Sequence, residues 1–157
     1  MKVAEQPSIA KIPGARLLVV AAPYYRAVTD MMRQGAAAVA RQAEATLDDA
    51  AVPGAFEIPG AIFHAARAGG YDGYIALGCV VRGETSHYDY VCGESARGLM
   101  DLSIREGLAI GYGILTVDNL AQAEQRADPR SGDKGGEAAR ACLAMIALKR
   151  RFAERAR

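Results

Sequence analysis

Residues 15–23 read ARLLVVAAP, and this stretch decides the fold class. Past Arg16 the run is continuously apolar, too short for a buried helix and halted by Pro23, which is the pattern of a strand buried on both faces. Such strands belong to parallel sheets with helices on either side, so the sequence around it should alternate strand with helix. It does. After YYR, the stretch AVTDMMRQGAAAVARQ (27–42) places Val28, Met31, Met32, Ala36, Val39 and Ala40 at helical spacing. ATLDDAAVPG (45–54) reads as a short second strand. EIPGAIFHAARAGG (57–70) returns to helical spacing and closes on paired glycines, a favoured helix stop.

The alternation continues to the end of the chain. YDGYIALGCVV (71–81) predicts the third strand, YVCGESARGLMDLSIREG (90–107) a helix, and LAIGYGILTV (108–117) the fourth strand. DNLAQAEQRA (118–127) predicts a short helix with Asn119 and Gln122 at capping-box spacing. A polar turn, DPRSGDKGG (128–136), leads to a final helix from Glu137 whose end is strongly basic; those arginines read as a solvated face complementing the helix dipole. The expected architecture is α/β, with a parallel sheet covered on both faces.

Composition narrows the function classes. The chain has 157 residues, 51% of them apolar, enough for one well-filled core and too few for two comfortable domains. We expect an N-terminal arm over 1–14 and a single domain over 15–157. A net charge of +1 offers no broad basic field for nucleic acid or anionic lipid, so any anion must be held locally. MKVAEQPSIAKIPG lacks the apolar core of a signal peptide, and no segment reaches the roughly 18 uninterrupted apolar residues of a membrane span, so a soluble, cytoplasmic protein is expected. Cys79, Cys92 and Cys142 are odd in number and widely spaced, which suggests neither a disulfide framework nor a zinc site. No metal is expected.

In a parallel sheet, ligands bind beyond the carboxyl ends of the strands, where the strand-to-helix loops emerge. Four loops are therefore candidates. The first holds PYY (23–25), the second VPGAFEIPG (52–60), the third RGETSH (82–87) and the fourth VDN (117–119), followed by Arg126 and Lys134. The turn from Gly83 to Ser86 opens a helix, so free N–H groups and a hydroxyl from Thr85 or Ser86 suit a phosphate; equally, one of those hydroxyls serves only as a helix cap. Arg126 would strengthen the phosphate reading if its helix pointed back across the same edge. His87 lies next to this turn, where an imidazole moves protons at neutral pH. His64, inside an apolar helical pattern, reads as structural. Tyr24 and Phe56 lie in loops beside prolines and offer flat surfaces to a ring-shaped ligand. No Walker, GxGxxG or GxSxG pattern is present.

Taken together and in this order, VPGAFEIP, GCVVRGETSHYDYV, GILTVDNLAQAEQRA and GDKGGEAA closely resemble the lumazine synthase family over roughly residues 15–153. The resemblance implies a flavodoxin-like three-layer α/β/α domain with a four-stranded parallel sheet, assembled at least into pentamers with active sites shared by adjacent subunits. It implies condensation of 5-amino-6-(D-ribitylamino)uracil with 3,4-dihydroxy-2-butanone 4-phosphate, releasing phosphate and water, with no metal or organic cofactor. At matching positions, Tyr24 corresponds to the aromatic stacked on the pyrimidine, and Phe56, Glu57 and Ile58 to the lining of the ribityl chain. Cys79, Val80 and Val81 correspond to a strand end addressing the pyrimidine partly through backbone groups. Gly83, Glu84 and Thr85 match the phosphate turn and His87 the proton-transfer residue. Tyr112, Arg126 and Lys134 match groups supplied by the neighbouring subunit.

Two stretches depart from the family pattern. Where the family commonly carries Arg or a similar polar residue before a Phe, this chain has Ala22-Pro23-Tyr24-Tyr25. The Gly-rich turn before the last helix reads ADPRSGDKG (127–135), stiffened by Asp128 and Pro129, which favours a pentamer over an icosahedral shell. Two readings on the same scaffold compete with the enzyme: a flavin- or lumazine-binding protein without catalysis, and a shell or scaffold subunit.

Overall fold

The structure is a computed structural model and describes residues 5, 6 and 8–156. The expected arm over 1–14 therefore lies partly outside the described residues. Four strands, β1 (Arg16–Ala21), β2 (Thr46–Ala51), β3 (Gly73–Val81) and β4 (Ile110–Val117), alternate with helices α1 (Arg26–Gln42), α2 (Ile58–Ala68), α3 (His87–Arg105), α4 (Leu120–Ala127) and α5 (Lys134–Arg155). The strands form one parallel sheet in the order β2-β1-β3-β4.

The continuous apolar run of β1 follows from its place inside this sheet. Leu17 and Val19 pack with α1, α4 and α5 on one face, while Leu18 and Val20 pack with α2 and α3 on the other. β3 alternates likewise: Ile75, Leu77 and Cys79 face the first layer, Tyr74, Ala76 and Val80 the second. The result is the three-layer α/β/α architecture that the resemblance implied. β2 is an edge strand, and its aspartates have partners outside the core: Tyr71 donates to Asp48 at 2.8 Å, and the Arg33 guanidinium binds Asp49 through two nitrogens. Charge on an edge discourages further strand pairing.

Helix ends show where local chemistry differs from the apolar pattern. α2 stops at Gly69 with φ 81°, a left-handed position that glycine takes freely. α3 begins at His87, three residues before the apolar periodicity starts; its first turn is mostly exposed, with only Tyr88 half-buried, so the pattern does not announce it. α5 begins at Lys134 instead of Glu137: the Asp133 carboxylate accepts from the Gly136 N–H at 3.2 Å, and the glycines expected in a turn are helical. Asn119 caps α4 by accepting from the Gln122 N–H at 3.0 Å, but Gln122 Oε1 accepts from Asp118 N–H at 2.8 Å, so only half of a capping box forms. In the basic last helix, Lys149 donates to the Gly107 carbonyl at 2.8 Å and Arg150 pairs with Asp72 at 3.4 Å, tying α5 to the ends of β3 and β4. His64 is exposed on α2, its ring 6.2 Å from that of Phe63. Among the described residues no helix is long and apolar enough to cross a membrane.

Candidate active site

The strand order creates a gap. From β1 the chain leaves toward β2, and from β3 it leaves toward β4, so the connections diverge between β1 and β3, where open parallel sheets bind their ligands. β1 ends at Ala21, opposite Leu77, while β3 runs on to Val81. The last bond between them is from Ala22 N–H to the Leu77 carbonyl at 2.9 Å. In a parallel strand every second residue turns both N–H and C=O to the same neighbour, so the backbones of Cys79 and Val81 face the gap, with no strand beside them.

Three loops rim this crevice, each pairing an anchored residue with a free one. After β1, Pro23–Tyr25 forms a 3-10 turn: Tyr25 packs against the core and its carbonyl accepts from Thr29 at 3.2 Å, whereas Tyr24 is 76% exposed. After β2, Ala55–Glu57 forms a second 3-10 turn in which Ala55 is buried and Phe56 is 58% exposed. Glu57 is exposed beside Phe56. Ile58, expected at the ribityl chain, is wholly buried beneath this turn. Cys79 is similar: its thiol is buried on the opposite layer from Val80, and burial pushes its pKa up to about 11. The turns meet above Gly78, where a Cβ would rest 3.5 Å from Ile58 Cδ1, 3.7 Å from Ala55 Cβ and 3.8 Å from Ala22 Cβ.

The third loop carries the candidate phosphate turn. Gly83, Glu84, Thr85 and Ser86 are all exposed. Thr85 Oγ1 accepts from the His87 N–H at 3.3 Å, so this hydroxyl does act as a local cap, while Ser86 makes no side-chain cap. His87 is the first residue of α3, exposed at the positive end of a 19-residue helix. A brace that sequence reasoning missed holds the loop. Arg82 binds Asp118 at 3.1 Å, lies 3.8 Å from Asp89, and stacks its guanidinium 4.3 Å from the centre of the Tyr88 ring. The available signal was the register: Val81 pairs with Val117, so the next residues, Arg82 and Asp118, stand side by side.

The remaining candidates gather elsewhere. Tyr112, Arg126, Lys134 and Glu137 line a groove of about 290 Å³ along the outer edge of β4. Arg126 donates to the Gln122 carbonyl at 3.1 Å, and Lys134 pairs with Glu137 at 2.7 Å. Burial, then the neighbouring Cys92 and Tyr88, raises the Tyr112 phenol above its ordinary pKa, keeping it a hydrogen-bond donor at neutral pH. Tyr112 is in register with Ala76, five residues before the strand end at Val117, or roughly 16 Å down the sheet. α4 starts at the ligand edge and runs away from it, so within one chain Arg126 does not point back to the turn at 83–86.

Residues 14–150 match the family model for 6,7-dimethyl-8-ribityllumazine synthase. A protein of that name from Novosphingobium aromaticivorans is 53% identical over 138 residues, covering 88% of this chain and 99% of the relative. Its namesake in Bartonella henselae is 53% identical over 140 residues, covering 88% and 90%. The 6,7-dimethyl-8-ribityllumazine synthase 1 of Rhizobium meliloti is 53% identical over 149 residues, covering 92% and 97%. With a family model spanning most of its length and such relatives along nearly all of theirs, this chain belongs to the 6,7-dimethyl-8-ribityllumazine synthase family.

Proposed function

We infer that this protein condenses 5-amino-6-(D-ribitylamino)uracil with 3,4-dihydroxy-2-butanone 4-phosphate to 6,7-dimethyl-8-ribityllumazine, releasing phosphate and water in riboflavin biosynthesis. The observation that carries this reading is the exposed turn Gly83–Ser86, which runs into the N-terminus of α3 at His87 just past the open backbone end of β3. Tyr24 offers its free ring to the pyrimidine. Phe56 and Glu57 receive the ribityl chain, Glu57 accepting from its hydroxyls. The backbones of Cys79 and Val81 and the side chain of Val80 complete the pyrimidine and ribityl contacts, with Ile58 buried beneath the Phe56–Glu57 turn as its support. Gly83, Glu84 and Thr85 hold the phosphate at the helix N-terminus.

Joining an amine to a ketone, expelling phosphate and closing the ring each require a proton to move, and His87 is placed to carry it next to the leaving group. Holding the two reactants together supplies much of the remaining acceleration. Tyr112, Arg126 and Lys134 act on the crevice of an adjacent copy, with Arg126 gripping the phosphate through its planar guanidinium. Their position on the outer edge of β4 supports this division. So does α3, which leaves Met100 and Ile104 exposed one turn apart, an apolar stripe suited to a like copy. A cytoplasmic homopentamer is the proposed form.

Incubating the protein with both substrates tests the reading. Product above the spontaneous rate is expected; ligand affinity without product would leave a binding module instead. Light scattering should give five times 16.6 kDa.

A further inference from the structure

Around the start of α5 the chain contains two unusual features. Asp133 has φ 46°, in the left-handed region that most residues other than glycine avoid and that Asp and Asn enter occasionally. Arg140 is largely buried on α5, its side chain 15% exposed; its buried Nη1 lies 3.5 Å from Asp133 Oδ2 and, among the described residues, has no hydrogen-bond acceptor. A largely buried ion pair of such loose geometry contributes little to stability, because desolvation offsets the attraction. Strained and under-satisfied groups tend to persist where position matters.

The surroundings fix the Asp133 carboxylate in a slot. Oδ1 accepts from the Gly136 N–H at 3.2 Å, and a Cβ on Gly35 of α1 would run into that same oxygen. A Cβ on Gly135 would strike the Met32 carbonyl, so α5 starts directly against the α1 backbone. The turn then staples α4 to this point: Gly132 N–H donates to the Gln125 carbonyl at 3.0 Å, and Asp133 N–H to the Asp128 carbonyl at 3.0 Å. Arg126 lies inside the first staple and Lys134 directly follows Asp133, so one slot sets the positions of both cations on the groove.

We propose that Asp133 and Arg140 form a largely buried latch that aims Arg126 and Lys134 at a single ligand, making both positioning residues for the phosphorylated substrate. The proposal rests on the reaction inferred above, with Arg126 at the phosphate. Arg140 touches no reactant. It holds the second carboxylate oxygen so that the first stays on the α5 N-terminus, and the turn cannot rotate its flanking cations apart.

The test uses the assembled protein, steady-state kinetics with both substrates, and calorimetric titration with inorganic phosphate. Arg140→Met keeps the bulk and removes the charge. It should raise the KM for the phosphorylated ketone and weaken phosphate binding about 10-fold, since small misplacement of a binding group is expensive, while kcat changes less. Its thermal midpoint should fall, because the largely buried Asp133 carboxylate loses its counter-charge, so KM and phosphate affinity carry the test. Arg140→Lys should restore part of the affinity. A lowered midpoint with wild-type KM and phosphate affinity would mean a purely structural pair and overturn the proposal. If Arg140→Met does not assemble, Asp133→Asn decides, because it keeps the cap acceptor and the tolerance for φ 46° while losing the charge; normal phosphate affinity there also overturns it. Arg126→Ala run alongside separates the two levels. Loss of phosphate affinity in Arg126→Ala but not in Arg140→Met removes the latch alone; no loss in Arg126→Ala removes the phosphate assignment beneath it.

Discussion

At the crevice between β1 and β3 the chemically useful side chains stand free, Tyr24, Phe56 and His87 projecting from loops whose neighbouring residues do the anchoring. Along β4, by contrast, Arg126 donates to its own helix, Lys134 is paired with Glu137, and the turn between their helices is pinned by Asp133. The difference follows from what each region offers. The crevice presents ring faces and backbone groups, which need access more than aim. The groove presents long flexible cations, which lose side-chain entropy on binding unless their helices are already fixed.

If the free side chains of the crevice carry the chemistry, His87→Ala should give the largest effect, lowering turnover about 10- to 1000-fold while both KM values move much less. The assembly should survive, because Thr85 and the exposed turn remain. Wild-type turnover in an intact particle would take the proton from His87.

Removing a cation from the groove should act on binding instead. Arg126→Ala should raise the KM for the phosphorylated ketone about 10- to 100-fold and that for the pyrimidine far less, as expected when a charge-assisted phosphate contact is lost. Equal effects on both would withdraw the assignment. The two variants also sharpen the comparison jointly. Subunits of His87→Ala and Arg126→Ala, unfolded together and reassembled, should regain activity that neither has alone, since some sites would combine an intact crevice with an intact groove. No recovery would place both residues in one chain's site.

Glu57→Gln should be milder, weakening a ribitylamino analogue about 3- to 10-fold with no change in fold, because a carboxylate acceptor is exchanged for a weaker amide. Unchanged affinity would make Glu57 structural.

The smallest effect comes from buried thiols behind the two regions and is absent at neutral pH. Burial pushes the Cys142 thiol up to about 12 and Cys79 up to about 11, from an ordinary value of 9.0. Both folded values are raised, so their contribution is complete below pH 9 and is lost as pH climbs toward 11–12, where only the unfolded thiols ionise freely. Urea midpoints should fall over that window, and more shallowly in Cys142→Ala; an equal slope would remove the thiol from the effect.

The crevice was largely legible in the sequence and the groove was not. Continuous apolar runs in β1 and β3 announce buried parallel strands, and a parallel sheet assigns its own ligand edge, so Tyr24, Phe56 and His87 could be nominated from position alone. Tyr112 could not. Its place on an outer edge depends on strand order, which chain order does not reveal. Ile58 shows the opposite limit: it lies within a loop motif, yet it is the first residue of α2 and its side chain is buried in the core. The start of α5 was misplaced for a related reason. Gly135 and Gly136 look like turn residues until the α1 backbone at Met32 is seen to leave Gly135 no room for a Cβ, and the Asp133 carboxylate to leave none at Gly136.

Two of the groups facing the crevice, the amides of Cys79 and Val81, belong to no side chain. A donor supplied by the main chain is written into the fold, not into a codon, and single-residue replacements leave it in place with one exception, proline, which has no N–H. Drift at these two positions can therefore reshape the walls around a ligand while its hydrogen-bonding edge stays constant. Removing one donor without altering any wall would take a backbone amide-to-ester exchange, made by chemical ligation, since no ribosomal substitution reaches that atom alone.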